Sequence, residues 1–265
     1  MAKDNYSACL AFTLQAEGGL SRDRKDPGNW TGGKVGVGTF KGTKYGISAA
    51  SFPHLDIANL TLDDVKPIYK TRYWDAVGGD SLPAGVDLAV WDYGVNSGPS
   101  RALREIQAIV GAKVDGRLGP ETITRSATAG VKQIQMLCAR RLSFMRSLKI
   151  WNINKNGWSA RVAKVEAKGV AMFLTAIGTS ASARKVLASE GQKAGDKAAT
   201  QAGQGALAGT GGAVTAATGL PSWLDFTLAM VGVALVTLAI LALYRKNRQR
   251  ADAYRAEAEN LNDAA

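Results

Sequence analysis

The stretch LQAEGGLSRDRKDPGNWTGG, residues 14–33, decides how the chain is read: an apolar segment ends on a carboxylate and two glycines and then gives way to charge. With residues 6–17 as a helix, Glu17 lies three residues after Leu14 and seven after Leu10, which puts its carboxyl on the apolar face. Burial beside apolar neighbours disfavours the ionised form, and so does the negative end of the helix dipole in the last turn. Gly18 and Gly19 fit a left-handed C-cap that leaves the carboxyl facing whatever lies beyond the helix. A carboxylic acid kept protonated near neutral pH is a candidate proton donor. The plain structural alternative is a partly exposed glutamate at a frayed helix end.

Downstream, Asp23 and Asp26 follow Glu17 by six and nine residues, and Thr31 and Thr43 come later. The segment between about 18 and 46 is rich in glycine, and within GNWTGGKVGVGTFKGTKYG the residues Val35, Val37 and Phe40 alternate with glycines, which predicts a short β-hairpin. A helix-terminal Glu, an Asp on the first strand and a Thr on the next would surround a cleft between this element and a helical body. Two carboxyls beside a scissile bond are what glycoside hydrolysis requires, one protonating the leaving oxygen and the other acting as nucleophile or activating water.

Beyond the hairpin, helical periodicity recurs at 61–73, 84–96, 99–110, 120–127, 130–147 and 158–177, so the fold class is mainly α with one small β element. In VWDYGVNSGP, Trp91, Tyr93 and Val95 are candidates for core, while Tyr93 and Asn96 also carry groups suited to sugar. DGRLGPET reads as a turn made by Asp115 and Gly116 and a helix start with Pro120 at its first position. Residues 1–178 form the predicted catalytic domain, with 84–175 as its helical lobe.

From 179 to 222 the composition shifts to Ala, Gly, Ser and Thr, which predicts a flexible linker. Then 19 uncharged residues, Phe226 to Tyr244, fall between Asp225 and Arg245 and have the length of a single transmembrane helix, 223–244 with its flanks. Arg245, Lys246, Arg248 and Arg250 follow directly, so the positive-inside rule places residues 245–265 in the cytoplasm and the large domain across the bilayer, wall-facing or periplasmic. The N-terminus is a poor signal peptide, and cleaving it would remove the helix that carries Glu17.

The 265 residues carry a net charge of +11, of which residues 1–180 hold +9. A basic surface suits nucleic acid, an anionic membrane or an acidic polymer such as a cell wall. No interleaved basic and aromatic stripe or recognition motif points to nucleic acid. Cys9 and Cys138 read as buried thiols. The single histidine, His54, and the lack of any CxxC or HExxH pattern predict no metal site and no cofactor.

EGGLSRDRKDPG followed by GTKYGIS resembles the signature of glycoside hydrolase family 108 lysozymes: Glu-Gly-Gly, then Asp and Asp-Pro-Gly, then Thr-x-x-Gly-Ile. The stretch from YWDAVGGD to GRLGPETI is similar to the family's continuation, often described as a peptidoglycan-binding region. The resemblance covers about residues 5–175. It implies an α+β lysozyme-like fold and an N-acetylmuramidase acting on peptidoglycan glycan strands. It also implies Glu17 as general acid, Asp26 as the second carboxylate with Asp23 as its rival, and Thr43 as the site threonine. Thr31 has the family spacing, but Thr43 has the matching TKYGI context. Asp23, Thr31, Tyr45, Tyr93 and Asn96 are then the candidate sugar contacts. A membrane-tethered wall-binding module without catalysis is the competing reading.

Overall fold

The computed structural model describes residues 5–15, 19–209 and 222–263; the side chains of 205–209, 222–230, 232, 233 and 263 also lie outside the described set. The described chain is mainly helical. Its elements are α1 (Tyr6–Leu14), β1 (Thr43–Lys44), β2 (Ile47–Ser48), α2 (Leu62–Tyr69), α3 (Asp75–Val77), α4 (Val86–Ser97), α5 (Pro99–Val110) and α6 (Pro120–Ser126). They are followed by α7 (Val131–Arg146), α8 (Trp151–Ile177), α9 (Ser180–Gly209) and α10 (Ser222–Asp263). The chain divides into two compact units, residues 1–137 and 138–265, with the division inside α7.

The first unit is built around α4, whose residues Val86 to Gly94 are all buried. A helix apolar on every side can only be central. Trp91 of α4 stacks with Tyr6 of α1, Tyr69 of α2, and Tyr73 and Trp74 of the turn that follows α2, at centroid separations of 5.7–6.3 Å. Such tilted and edge-on ring pairs each add to the stabilisation from area burial, so one side chain of α4 joins three segments distant in sequence. Helix starts follow the sequence closely. Thr61 and Asp64 form a capping box at α2, and Pro99 and Pro120 occupy the first positions of α5 and α6. The DGRLG turn is held by Gln107 of α5, whose side-chain amide Nε2 donates to Asp115 Oδ1 at 3.0 Å and to the Arg117 carbonyl at 2.9 Å, which gives the stretch a structural role.

The β element differs from expectation. Val35 and Val37 are exposed and lie in turns, because Gly33, Gly36 and Gly38 adopt left-handed φ and interrupt any strand. The hairpin forms later, pairing Thr43 with Ser48 and Lys44 with Ile47. Its two-residue turn, Tyr45 and Gly46 at φ 50° and 72°, has the positive dihedrals that match strand twist in tight hairpins.

In the second unit, residues 180–209 are not a flexible linker but the helix α9. Alanine is the best helix former, and the small buried residues Ala183, Ala194 and Ala198, with Leu187, let α9 lie close against Ala251 and Tyr254 of α10. Residues 210–221 of the expected linker lie outside the described residues. The helix α10 runs without a break from the expected anchor through the expected tail. Among the described residues, no helix is long and apolar enough to cross a membrane, so the anchor is not supported. The tail is instead the third helix of a bundle. Arg250 Nε and Tyr254 Oη each donate to Glu166 Oε1 of α8 at 3.0 Å, and Lys168 Nζ meets Glu257 Oε1 at 2.8 Å. A bilayer separating residues 245–263 from α8 is incompatible with these bonds. Cys9 and Cys138 are both buried thiols.

At the start of α4, Asp87 is fully buried and accepts from Asn5 Nδ2 and from the backbone N–H groups of Gly85 and Leu88. Burial pushes its carboxyl up from 3.8 to about 6, although the three donors pull it down. The folded chain therefore holds a proton that the unfolded chain has released, and stability falls as pH rises from about 4 to about 6, by about 3 kcal/mol for this group. Asp87→Asn has no proton to lose. Its thermal midpoint is expected to fall less between about pH 4 and about pH 7 than that of the unsubstituted chain, as read by circular dichroism.

Candidate active site

The site expected from the sequence begins where α1 ends. Leu14 is the last helical residue, and Gln15 still bonds back to Ala11. Glu17 lies outside the described residues. The chain reappears at Gly19, and Ser21 forms a two-way backbone pair with Thr43, N to O at 2.7 Å and O to N at 3.1 Å. The approach is tight enough that a Cβ on Gly42 would sit 2.6 Å from the Ser21 carbonyl oxygen, so only glycine allows β1 to close on this segment.

Asn29 organises the surface beside this pair. It is fully buried. Its Oδ1 accepts from Thr43 Oγ1 at 2.6 Å, its Nδ2 donates to the Asp23 carbonyl at 2.9 Å, and its own carbonyl accepts from Lys41 N and Gly42 N. One side chain thus connects the Asp23 loop, β1 and the turn before it. The sequence reading passed over Asn29, since a lone Asn after Asp-Pro-Gly looks like a turn residue; its role lies in long-range bonds that spacing does not announce.

Asp23 and Asp26 are both exposed on this loop. Asp26 Oδ1 caps the short 3-10 turn Pro27–Asn29 by accepting from Gly28 N at 2.8 Å, and Asp23 Oδ1 accepts from Lys25 N at 2.9 Å. Each carboxylate is therefore oriented through one oxygen by its own loop. Thr43 is brought to the pair with Ser21, whereas Thr31 Oγ1 accepts from Thr39 N at 2.8 Å and belongs to the outer turn. That turn carries an aromatic surface. Trp30 and Phe40 stack at 5.2 Å, Arg24 lies 4.7 Å above the Phe40 ring, and Trp30 Nε1 bonds the Arg24 carbonyl.

Tyr45 occupies the hairpin turn at positive φ, a conformation that costs a non-glycine residue about 1 kcal/mol or more. The Tyr69 hydroxyl holds it there by donating to the Tyr45 carbonyl at 2.9 Å, and its ring receives Lys44 Nζ at 5.3 Å. Asn96 is exposed on the last turn of α4, so its amide is open to a ligand. Tyr93 is not. It is fully buried inside the first unit and cannot contact sugar, because α4 is the central helix and its whole middle faces core. Among the described residues, no cluster of His, Cys, Asp and Glu could hold a metal ion, and His54 is an exposed turn residue.

The described residues thus place two exposed, loop-held carboxylates, Asp23 and Asp26, and the hairpin threonine Thr43 on the segment that follows α1. A family model described as Glycosyl hydrolase 108 matches residues 10–98, which span the end of α1, the loop and hairpin, and α4. The solved structure of Brucella abortus SagA is similar, with a TM-score of 0.56 and 30% sequence identity over 65% of this chain and 97% of that one. No curated protein matches the chain. The chain belongs to glycosyl hydrolase family 108, and its first unit carries a glycoside hydrolase domain.

Removing the Asn29 amide takes away the partner of the half-buried Thr43 hydroxyl and one of the two donors to the Asp23 carbonyl. Asn29→Ala is expected to lower stability by about 1–3 kcal/mol, read as a drop in thermal midpoint. Thr43→Val, which removes only one donor to an amide that keeps its other bonds, should lower it less.

Proposed function

We propose that the chain is an N-acetylmuramidase that hydrolyses the peptidoglycan glycan strand between N-acetylmuramic acid and N-acetylglucosamine. The carrying observation is the pairing of Ser21 with Thr43, which fixes the chain against β1 immediately ahead of the loop bearing Asp23 and Asp26. Glu17 is the general acid. It protonates the glycosidic oxygen as the bond breaks. Asp26 is the second carboxylate; with one oxygen held by Gly28 N, the other is free to attack the anomeric carbon or to take a proton from water. Thr43, its proton directed to Asn29, presents oxygen lone pairs toward the same space. Asp23, Thr31, Tyr45 and Asn96 contribute hydrogen bonds and a ring face to the sugars, and the +9 charge of residues 1–180 favours an anionic wall.

This reaction requires a wall-facing location. Attachment to a lipid surface belongs to the same proposal. Val231, Leu235, Val236, Leu238, Leu241 and Leu243 are exposed within the apolar run Phe226 to Tyr244 of α10, and the cations Arg245, Lys246 and Arg248 follow it, a pairing suited to an anionic bilayer surface. The full chain is expected to float with vesicles containing anionic lipid, and a chain carrying Leu235→Ser with Leu238→Ser is expected to float less. Failure of the unsubstituted chain to float would remove the lipid part of the proposal.

The catalytic reading is tested with Glu17→Gln on purified peptidoglycan, scoring new reducing ends. Loss of a general acid should lower release by about 100-fold or more while wall binding persists. Equal release by the variant, or none by the unsubstituted chain, would contradict the assignment.

A further inference from the structure

One end of the second unit gathers exposed apolar, aromatic and cationic side chains. Three hydrogen bonds set the direction of its helices. Asn247 Nδ2 of α10 donates to Gln201 Oε1 of α9 at 3.0 Å, and Arg184, near the start of α9, donates to Asn262 Oδ1 near the end of α10, so these two helices run antiparallel. Gln249 Nε2 donates to the Asn156 carbonyl of α8 at 3.3 Å. The start of α8 therefore lies beside the point where the exposed Leu238, Leu241 and Leu243 of α10 give way to Arg245 and Lys246.

The entry to α8 presents bulk to solvent. Ile150 is 50% exposed and Ile153 is 83% exposed. Trp151 and Trp158, two turns apart on α8, stack at 6.2 Å, and Arg146 on the last turn of α7 lies 5.8 Å above the Trp151 ring. Tryptophans flanked by exposed isoleucines, with Lys149 and Lys155 close by in sequence, have the composition of a surface that meets the headgroup region of a bilayer, where an amphipathic ring faces hydrocarbon on one side and water on the other.

Cations converge on the same place. Lys246 is half-buried, and burial together with the like charges of Arg146, Arg250 and Lys197 pushes its ammonium below the usual range, against the pull of Glu166. That carboxylate is already engaged, since Glu166 Oε1 accepts from Arg250 Nε and Tyr254 Oη, both at 3.0 Å. Among the described residues, Lys246, Arg146 and Lys197 form no ion pair with an acid. An anion placed among these three would relieve their mutual repulsion, and phosphate is the anion that arginine and lysine hold through charge-assisted hydrogen bonds.

We infer that this end of the second unit is the seat of an anionic phospholipid: the phosphate lies among Lys246, Arg146 and Lys197, and Ile150, Trp151 and Ile153 enter the interface beside it. The inference rests on the reading that the chain attaches to a lipid surface; it adds where the headgroup is held and a second point of insertion outside α10.

The test uses the full chain and vesicles of phosphatidylcholine with and without phosphatidylglycerol. Ile153→Cys is labelled with a polarity-sensitive maleimide, which Cys9 and Cys138 do not take because both are buried. Lys185→Cys, exposed near the far end of α9, is labelled in the same way. On vesicles containing phosphatidylglycerol the label at 153 is expected to brighten and shift to the blue, and the label at 185 to remain as in water. Separately, Lys246→Gln is expected to weaken binding to these vesicles about fivefold, against less than twofold for Lys185→Gln, which removes the same charge elsewhere in the unit. A label at 153 that stays in water on vesicles the chain binds, equal losses for the two glutamine variants, or equal binding to phosphatidylcholine alone would overturn the inference while leaving attachment through α10 standing. An unsubstituted chain that binds neither vesicle would bring down the lipid reading itself.

Discussion

The backbone pair between Ser21 and Thr43 is the constraint on which the site depends. A helix end and a hairpin are distant in sequence, and nothing in their composition obliges them to meet. The pair joins them by two hydrogen bonds that only a glycine at position 42 leaves room for. Asn29 then reads the junction from beneath, binding the Thr43 hydroxyl and the Asp23 carbonyl with one buried amide. On the other side α1 is tied to α4, through Asn5 and Asp87.

The second unit follows a different physical logic. Its three long helices approach closely because one of them presents alanine and glycine where larger residues would hold the axes apart, and a buried cluster of Glu166, Arg250 and Tyr254 sets their register. Breaking such a cluster on one side leaves an uncompensated buried charge, so it specifies one packing more firmly than apolar contact would. The same cluster fixes the C-terminal segment against α8 within the bundle.

Much of the first unit was legible in the sequence. Helices α2 and α4 to α7 fall where the periodicity of apolar residues puts them, because their signal is local and repeated over several turns, whereas α8 of the second unit begins about two turns before the expected 158. The hairpin was displaced by several residues, since glycines that alternate with valines resemble a strand in pattern while their left-handed φ breaks it. The region after Gly178 was misread for a physical reason too: small residues give no hydropathic signal, yet they form good helices and pack closely when a partner far along the chain supplies the bulk. The apolar run of α10 carries a strong local signal for a membrane, whereas the contacts that hold its continuation to α8 are invisible to any window. Asp23, Asp26 and Thr43 were picked out by motif, and the structure brings Thr43 to the pair with Ser21 and leaves the two carboxylates exposed on the loop that follows it. Tyr93 was placed in the cleft because its chemistry suits sugar, but α4 buries its middle on all sides. Asn29 was missed because it acts through bonds to residues removed in sequence.

The measurement that tests the central claim most directly is the identity of the sugar at the new end. Peptidoglycan digested with the full chain is reduced with borohydride and hydrolysed, and the resulting sugar alcohol is identified by mass. The account predicts muramitol, the product of cleavage on the reducing side of N-acetylmuramic acid. Glucosaminitol, or the appearance of new amino groups without any new reducing end, would contradict it.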